Sequence, residues 1–121
     1  MEERLVLLVI EPEQPEGLSA RKLVLETARH NVLSAYSGAQ GLSLFRRFPN
    51  IDVAVVHSGL NDLSCEEVSR RLKRQRPELP IVVVSPAENT MCEDGDHVVP
   101  SHDPQALLNL LAEEFGASKS N

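Results

Sequence analysis

The sequence predicts an α/β domain built on a doubly wound, five-stranded parallel sheet. Three observations carry that expectation. Within Ile51 to Leu60, the run Val53-Ala54-Val55-Val56 is short, unbroken and rich in β-branched residues. That is how a central strand reads when both of its faces are covered. Leu5 to Ile10 and Ile81 to Ser85 read the same way. Between the apolar runs lie segments with helical spacing, and strand and helix alternate five times in 121 residues. Each crossover is long enough for a right-handed parallel connection.

The first strand, Leu5 to Ile10, is broken by Glu11-Pro12-Glu13-Gln14-Pro15. A helix is expected from about Pro15 to Arg29, with Leu18, Leu23, Val24 and Leu25 clustered at helical spacing. Asn31 to Ala35 is strand-like, and Ser37-Gly38 is a turn. Ser37 and Gln40 have capping-box spacing, opening a helix from about Ala39 to Phe48 that Pro49 ends. The Ile51 strand stops at His57, followed by the turn residues Ser58-Gly59. Ser64-Cys65-Glu66-Glu67 is a second capping box, opening a helix that runs to about Gln75. Ile81 to Ser85 follows Pro80, and His97-Val98-Val99 makes a brief fifth strand. Asp103-Pro104 reads as an N-cap followed by proline at the first helical position. The last helix carries Leu107, Leu108, Leu110, Leu111 and Phe115.

One domain is expected over 1–116, with 117–121 a flexible tail or the start of a linker. The chain is 41% apolar but only 3% aromatic, so its core must be built from Leu, Val, Ile and Ala. A net charge of -6 argues against nucleic-acid binding, which needs a basic face. Cys65 and Cys92 are too few for a disulfide framework and lack C-x-x-C spacing. They read as free thiols in a reducing compartment, Cys92 the more exposed and oxidisable. No apolar run approaches the roughly 18 residues that span a bilayer. Met1-Glu2-Glu3 is not a signal-peptide start, so a cytoplasmic domain is expected.

With its elements in this order, the chain resembles the receiver domain of two-component response regulators, the CheY-like group, from roughly Leu5 to Phe115. The stretches that carry the resemblance are L-L-V-I-E-P-E, I-D-V-A-V-V-H, L-P-I-V-V-V-S and H-V-V-P-S, at the first, third, fourth and fifth strands. It implies flavodoxin-like topology with strand order 2-1-3-4-5, and a site beyond the carboxyl ends of the strands. The family ends its third strand with a phosphoryl-accepting aspartate, and here that position is His57. An imidazole cannot form an acyl phosphate. Of the family's two Mg²⁺-holding acidic residues, Glu11 matches the first and Pro12 replaces the second, with Glu13 just beyond. The switch hydroxyl is matched by Ser85, and the phosphate-pairing lysine is replaced by Pro100. Ser101 stands where the family has proline, and His97 matches a frequent aromatic. Nucleophile, metal and charge clamp are thus lost together. The resemblance therefore implies a pseudo-receiver without metal or cofactor. Ser85 and Pro100 are fifteen positions apart, fewer than the family uses. A shortened fourth helix is expected, because Pro86, Asn89, Asp94 and Gly95 are weak helix formers.

Other readings stand beside this one. His57 with Glu11 and Glu13 is a ligand set for zinc or manganese, or His57 is a neutral, hydrogen-bonded plug. Arg70, Arg71, Lys73, Arg74 and Arg76 form a solvated helix end or a docking face for an acidic partner. Cys65 is a packed thiol, or one of lowered pKa at a helix start. Ser85 is an inert hydroxyl unless a base and oxyanion donors lie nearby. No Gly-rich phosphate loop or nucleophile elbow marks an enzyme. The expected function is protein–protein interaction in a signalling pathway, as the N-terminal module of a longer regulator or as a stand-alone adaptor. Five large apolar residues in nine positions of the last helix exceed one buried stripe. Leu107, Leu110 and Phe115 beside His97 are therefore the candidate partner or homodimer surface.

Overall fold

A computed structural model describes residues 4–13, 20–86, 92 and 94–115. The strands are β1 (Val6–Ile10), β2 (Asn31–Ala35), β3 (Val53–His57), β4 (Ile81–Ser85) and β5 (His97–Pro100). The helices are α1 (Ala20–Thr27), α2 (Gly38–Arg47), α3 (Cys65–Gln75) and α4 (Pro104–Phe115). All strands pair in parallel, in the order β2-β1-β3-β4-β5, as expected.

The unbroken apolar runs have a simple cause. Successive strand residues point to opposite faces, and both faces are covered. Leu8, Ile10, Ala54, Val56, Ile81 and Val83 enter a core beneath α2 and α3, with Phe45, Val68 and Leu72. Leu7, Val9, Val53, Val55, Val82 and Val84 enter a second core with Leu25 of α1 and Leu107 and Leu111 of α4. Gly41 lets α2 approach β1, since a Cβ there would sit 2.3 Å from Ile10 Cδ1.

The caps act locally. Ser37 Oγ accepts from Gln40 N–H, and Gln40 Oε1 accepts from Tyr36 N–H. Asp62 adds two acceptors for the Gly38 and Ala39 N–H groups at the start of α2. Those bonds from Ala39 and Gly38 hold its carboxyl below the usual range. Ser64 caps Glu67 N–H, but the Glu67 carboxylate pairs with Arg70 and Arg71 instead of closing the box. Asp103 accepts from Ala106 N–H at 3.2 Å.

Two expectations change. Cys65 and Cys92 are not free thiols but a disulfide, and Cys92 is buried rather than exposed. The bond fastens the β4–β5 crossover to the first turn of α3. The inference of a reducing compartment from these cysteines therefore loses its basis. The same crossover is held by Asp96, which accepts from Ile81 N–H and pairs with Lys73. Among the described residues no helix lies between β4 and β5. Of the shortened-helix expectation, 87–91 and 93 fall outside those residues, as do 15–19 of the expected first helix and the tail. No helix among the described residues is long and apolar enough to cross a membrane.

Candidate functional site

The register aligns the carboxyl ends of the central strands. Ile10 lies opposite both Ala35 and Val56, His57 opposite Val84, and Ser85 opposite Pro100. Glu11, His57, Ser85 and Pro100 therefore share one edge of the sheet. Pro12 is half-buried, and Glu13 is exposed.

Glu11 leaves β1 with its N–H donating to Ala35 O at 3.0 Å, and the residue is 1% exposed. Its carboxylate is ion-paired with Arg21 of α1, whose own exposure is 9%. Arg21 Nη2 also donates to Ser101 O at 3.0 Å. One guanidinium thus ties the end of β1 to the β5–α4 corner. The sequence reading missed it. A signal did exist: Arg21 stands four positions before Leu25, on the helix face that packs inward, where a charge needs a partner.

His57 closes β3, half-buried, and its Nδ1 accepts from Gly59 N–H at 2.9 Å. Its proton therefore sits on Nε2 in the neutral form. Burial pushes the imidazole pKa below its ordinary value, the Arg21 guanidinium lowers it further, and Glu11 partly opposes both. A Cβ at Gly59 would meet the ring at 3.2 Å, so the turn closes tightly over it. Ser58 Oγ donates to Ser85 Oγ at 3.1 Å, and Ser85 is buried. Pro100 is exposed and carries no charge.

Magnesium does not fit this donor set. It needs oxygen ligands in octahedral array, whereas among the described residues the edge offers the Glu11 carboxylate, already held by Arg21, with an imidazole, two serine hydroxyls and prolines. Among the described residues no three His, Cys, Asp or Glu side chains are arranged to hold a metal ion. Glu11, Glu13 and His57 are not brought together as ligands.

The partner candidates divide. Leu107 is buried against the sheet, which removes it from the expected surface. Leu110 and Phe115 are half-buried at the margin of the same core. His97, also half-buried, meets the Phe115 ring edge-on at 6.4 Å, with Nε2 3.8 Å from Glu114 Oε1. The basic residues of α3 are largely engaged. Arg70 and Arg71 pair with Glu67, and Lys73 with Asp96. Arg76 bonds the Pro49 and Ile51 carbonyls and stacks on Phe45.

No protein-family model matches the chain, and no curated protein matches it in sequence. Solved structures do match in shape. A receiver domain from Clostridium thermocellum is 24% identical with a TM-score of 0.72, over 92% of this chain and 97% of that one. A CheY-like receiver from Methylobacillus flagellatus is 19% identical with a TM-score of 0.79, over 92% and 98%. The fold is that of receiver domains. A third neighbour is from Borrelia burgdorferi, a structure of a CheX–CheY–BeF3–Mg complex. It is 12% identical with a TM-score of 0.78, over 92% and 89%.

Proposed function

We propose that this receiver-fold domain signals in a two-component-type pathway without being phosphorylated, and that it works by binding a protein. The observation that carries the reading is Arg21. Its guanidinium occupies the carboxylate a divalent cation would need, and it reaches the carbonyl of Ser101, next to Pro100 in the lysine's place. His57, at the acceptor's place, is biased towards the neutral form and cannot form an acyl phosphate. A cation fixed in the chain stands where the family takes one from solvent.

The proposed contact surface is the β5 edge with the C-terminal half of α4, through His97, Leu110 and Phe115. CheX seated on the Borrelia CheY is a partner of the same broad kind. No observation favours the alternative of a small metal-binding domain.

The test has two arms. Acetyl phosphate, or beryllofluoride with Mg²⁺, should leave the intact mass and amide spectrum unchanged. His57→Asp alone should stay unmodified, because Pro12 and Pro100 remain. A phosphorylated residue or a beryllofluoride adduct in either protein would overturn the reading. In the second arm, Leu110→Glu should keep the fold and weaken any concentration-dependent self-association in sedimentation. Association that survives the change would move the contact elsewhere.

A further inference from the structure

Charge is distributed unevenly over this chain. The stretches 38–48 and 65–76, both on one face of the sheet, hold seven cations and two anions, net +5. The whole chain is -6, so the remainder is -11. Part of the positive charge is spent internally, on Glu67 and Asp96. Arg76 decides where the rest lies. Its Nη1 donates to Pro49 O at 2.8 Å and its guanidinium sits 5.3 Å from the Phe45 ring centre. That clamp fastens the residue after α3, two positions beyond Arg74, to the end of α2, whose last turn carries Arg46 and Arg47. All three arginines are exposed, and none makes an ion pair among the described residues. Phe48, which caps α2, is 38% exposed and lies beneath the Arg47 guanidinium at 5.6 Å. Helix C-termini favour cations, which accounts for basic last turns but not for an exposed aromatic ring among them.

We infer that this corner, made of Arg46, Arg47, Phe48 and Arg74, docks an acidic protein segment carrying an apolar side chain for Phe48. Planar guanidinium groups suit carboxylates, and an aromatic with arginines is a frequent interface anchor. A nucleic-acid duplex is a poorer fit. It needs a broad basic track, and here a small corner is set on a body of net -11. The inference deepens the protein-binding reading above, adding a contact apart from the β5–α4 surface. It is independent of whether the domain is phosphorylated.

The probe is a short fluorescent peptide of glutamate and aspartate around one central leucine, followed by anisotropy. Binding should weaken with salt. The pair Arg46→Glu with Arg74→Glu should weaken it by about tenfold, while Arg4→Glu, a charge reversal elsewhere on the chain, leaves it intact. Phe48→Ala should lower affinity for this peptide but not for a version with central glycine. If the reversals unfold the protein, Arg46→Gln with Arg74→Gln gives the same reading in smaller steps. Equal loss with Arg4→Glu, no loss with the corner variants, or stronger binding of a DNA duplex than of the peptide would each overturn the proposal. Phosphodonor treatment of the same samples reports separately on the proposed function.

Discussion

Arg21 touches the residue after β1 and the corner after β5 while belonging to α1. A buried charge is tolerated only as part of a pair, so losing one partner is worse than losing both. Arg21→Ala should cost about 3 kcal/mol in urea unfolding, and Arg21→Met combined with Glu11→Leu should recover most of that. Equal losses would mean that this pair does not hold the corner. Two imidazoles add a pH dependence. His30 is buried, its Nδ1 accepts from Leu5 N–H, and burial pushes its pKa down; His57 is lowered as well. With folded values below the unfolded one, the unfolded chain takes up protons first. The stabilisation is therefore present above about pH 6.5 and is lost as pH falls towards the folded values. His30→Asn, whose Oδ1 can accept from Leu5 N–H, should flatten the stability curve between about pH 7 and about pH 5. An unchanged slope would assign the dependence to other groups. At this scale the sequence named the edge positions, Glu11, His57, Ser85 and Pro100. It did not show that Arg21 would fill the space among them, because that contact joins residues far apart along the chain.

The end of α1 is written in backbone geometry. Ala28 N–H bonds Val24 O, Arg29 N–H bonds Glu26 O, and His30 N–H bonds Leu25 O, a Schellman arrangement. Arg29 takes the left-handed position, φ 70, which glycine fills without strain. Arg29→Gly should therefore stabilise the domain by about 1 kcal/mol, read as a higher denaturant midpoint with unchanged slope. A lower midpoint would mean that the arginine side chain contributes more than the backbone loses. The helix starts were legible because Ser37, Ser64 and Asp103 act through neighbours three residues away. This stop was not, because no glycine marks it. Glu67 shows the limit of such signals: it has capping-box spacing, but arginines one turn on offer its carboxylate a stronger partner.

The topology of the whole molecule was readable because strands buried on both faces leave an unbroken apolar signature, and parallel pairing follows from the helices between them. The disulfide was not readable. Cys65 and Cys92 are separated by 27 positions and meet only because the short crossover folds down onto α3. Closing a loop of that length restricts the unfolded chain by about 3 kcal/mol. Reductant should lower the unfolding midpoint accordingly, and Cys65→Ser with Cys92→Ser should abolish the response. A wild-type midpoint indifferent to reductant would show that the bond contributes nothing. Pro100 has an effect unrelated to phosphate. Ser101 N–H donates to Ser85 O, and amides alternate in direction along a strand, so the Pro100 position faces the open rim of the sheet. It has no N–H to offer there, and an incoming chain cannot zip its backbone along that rim past Val98. Molecules meeting at this edge must recognise one another by side chains, which guards a valine-rich sheet against runaway strand addition.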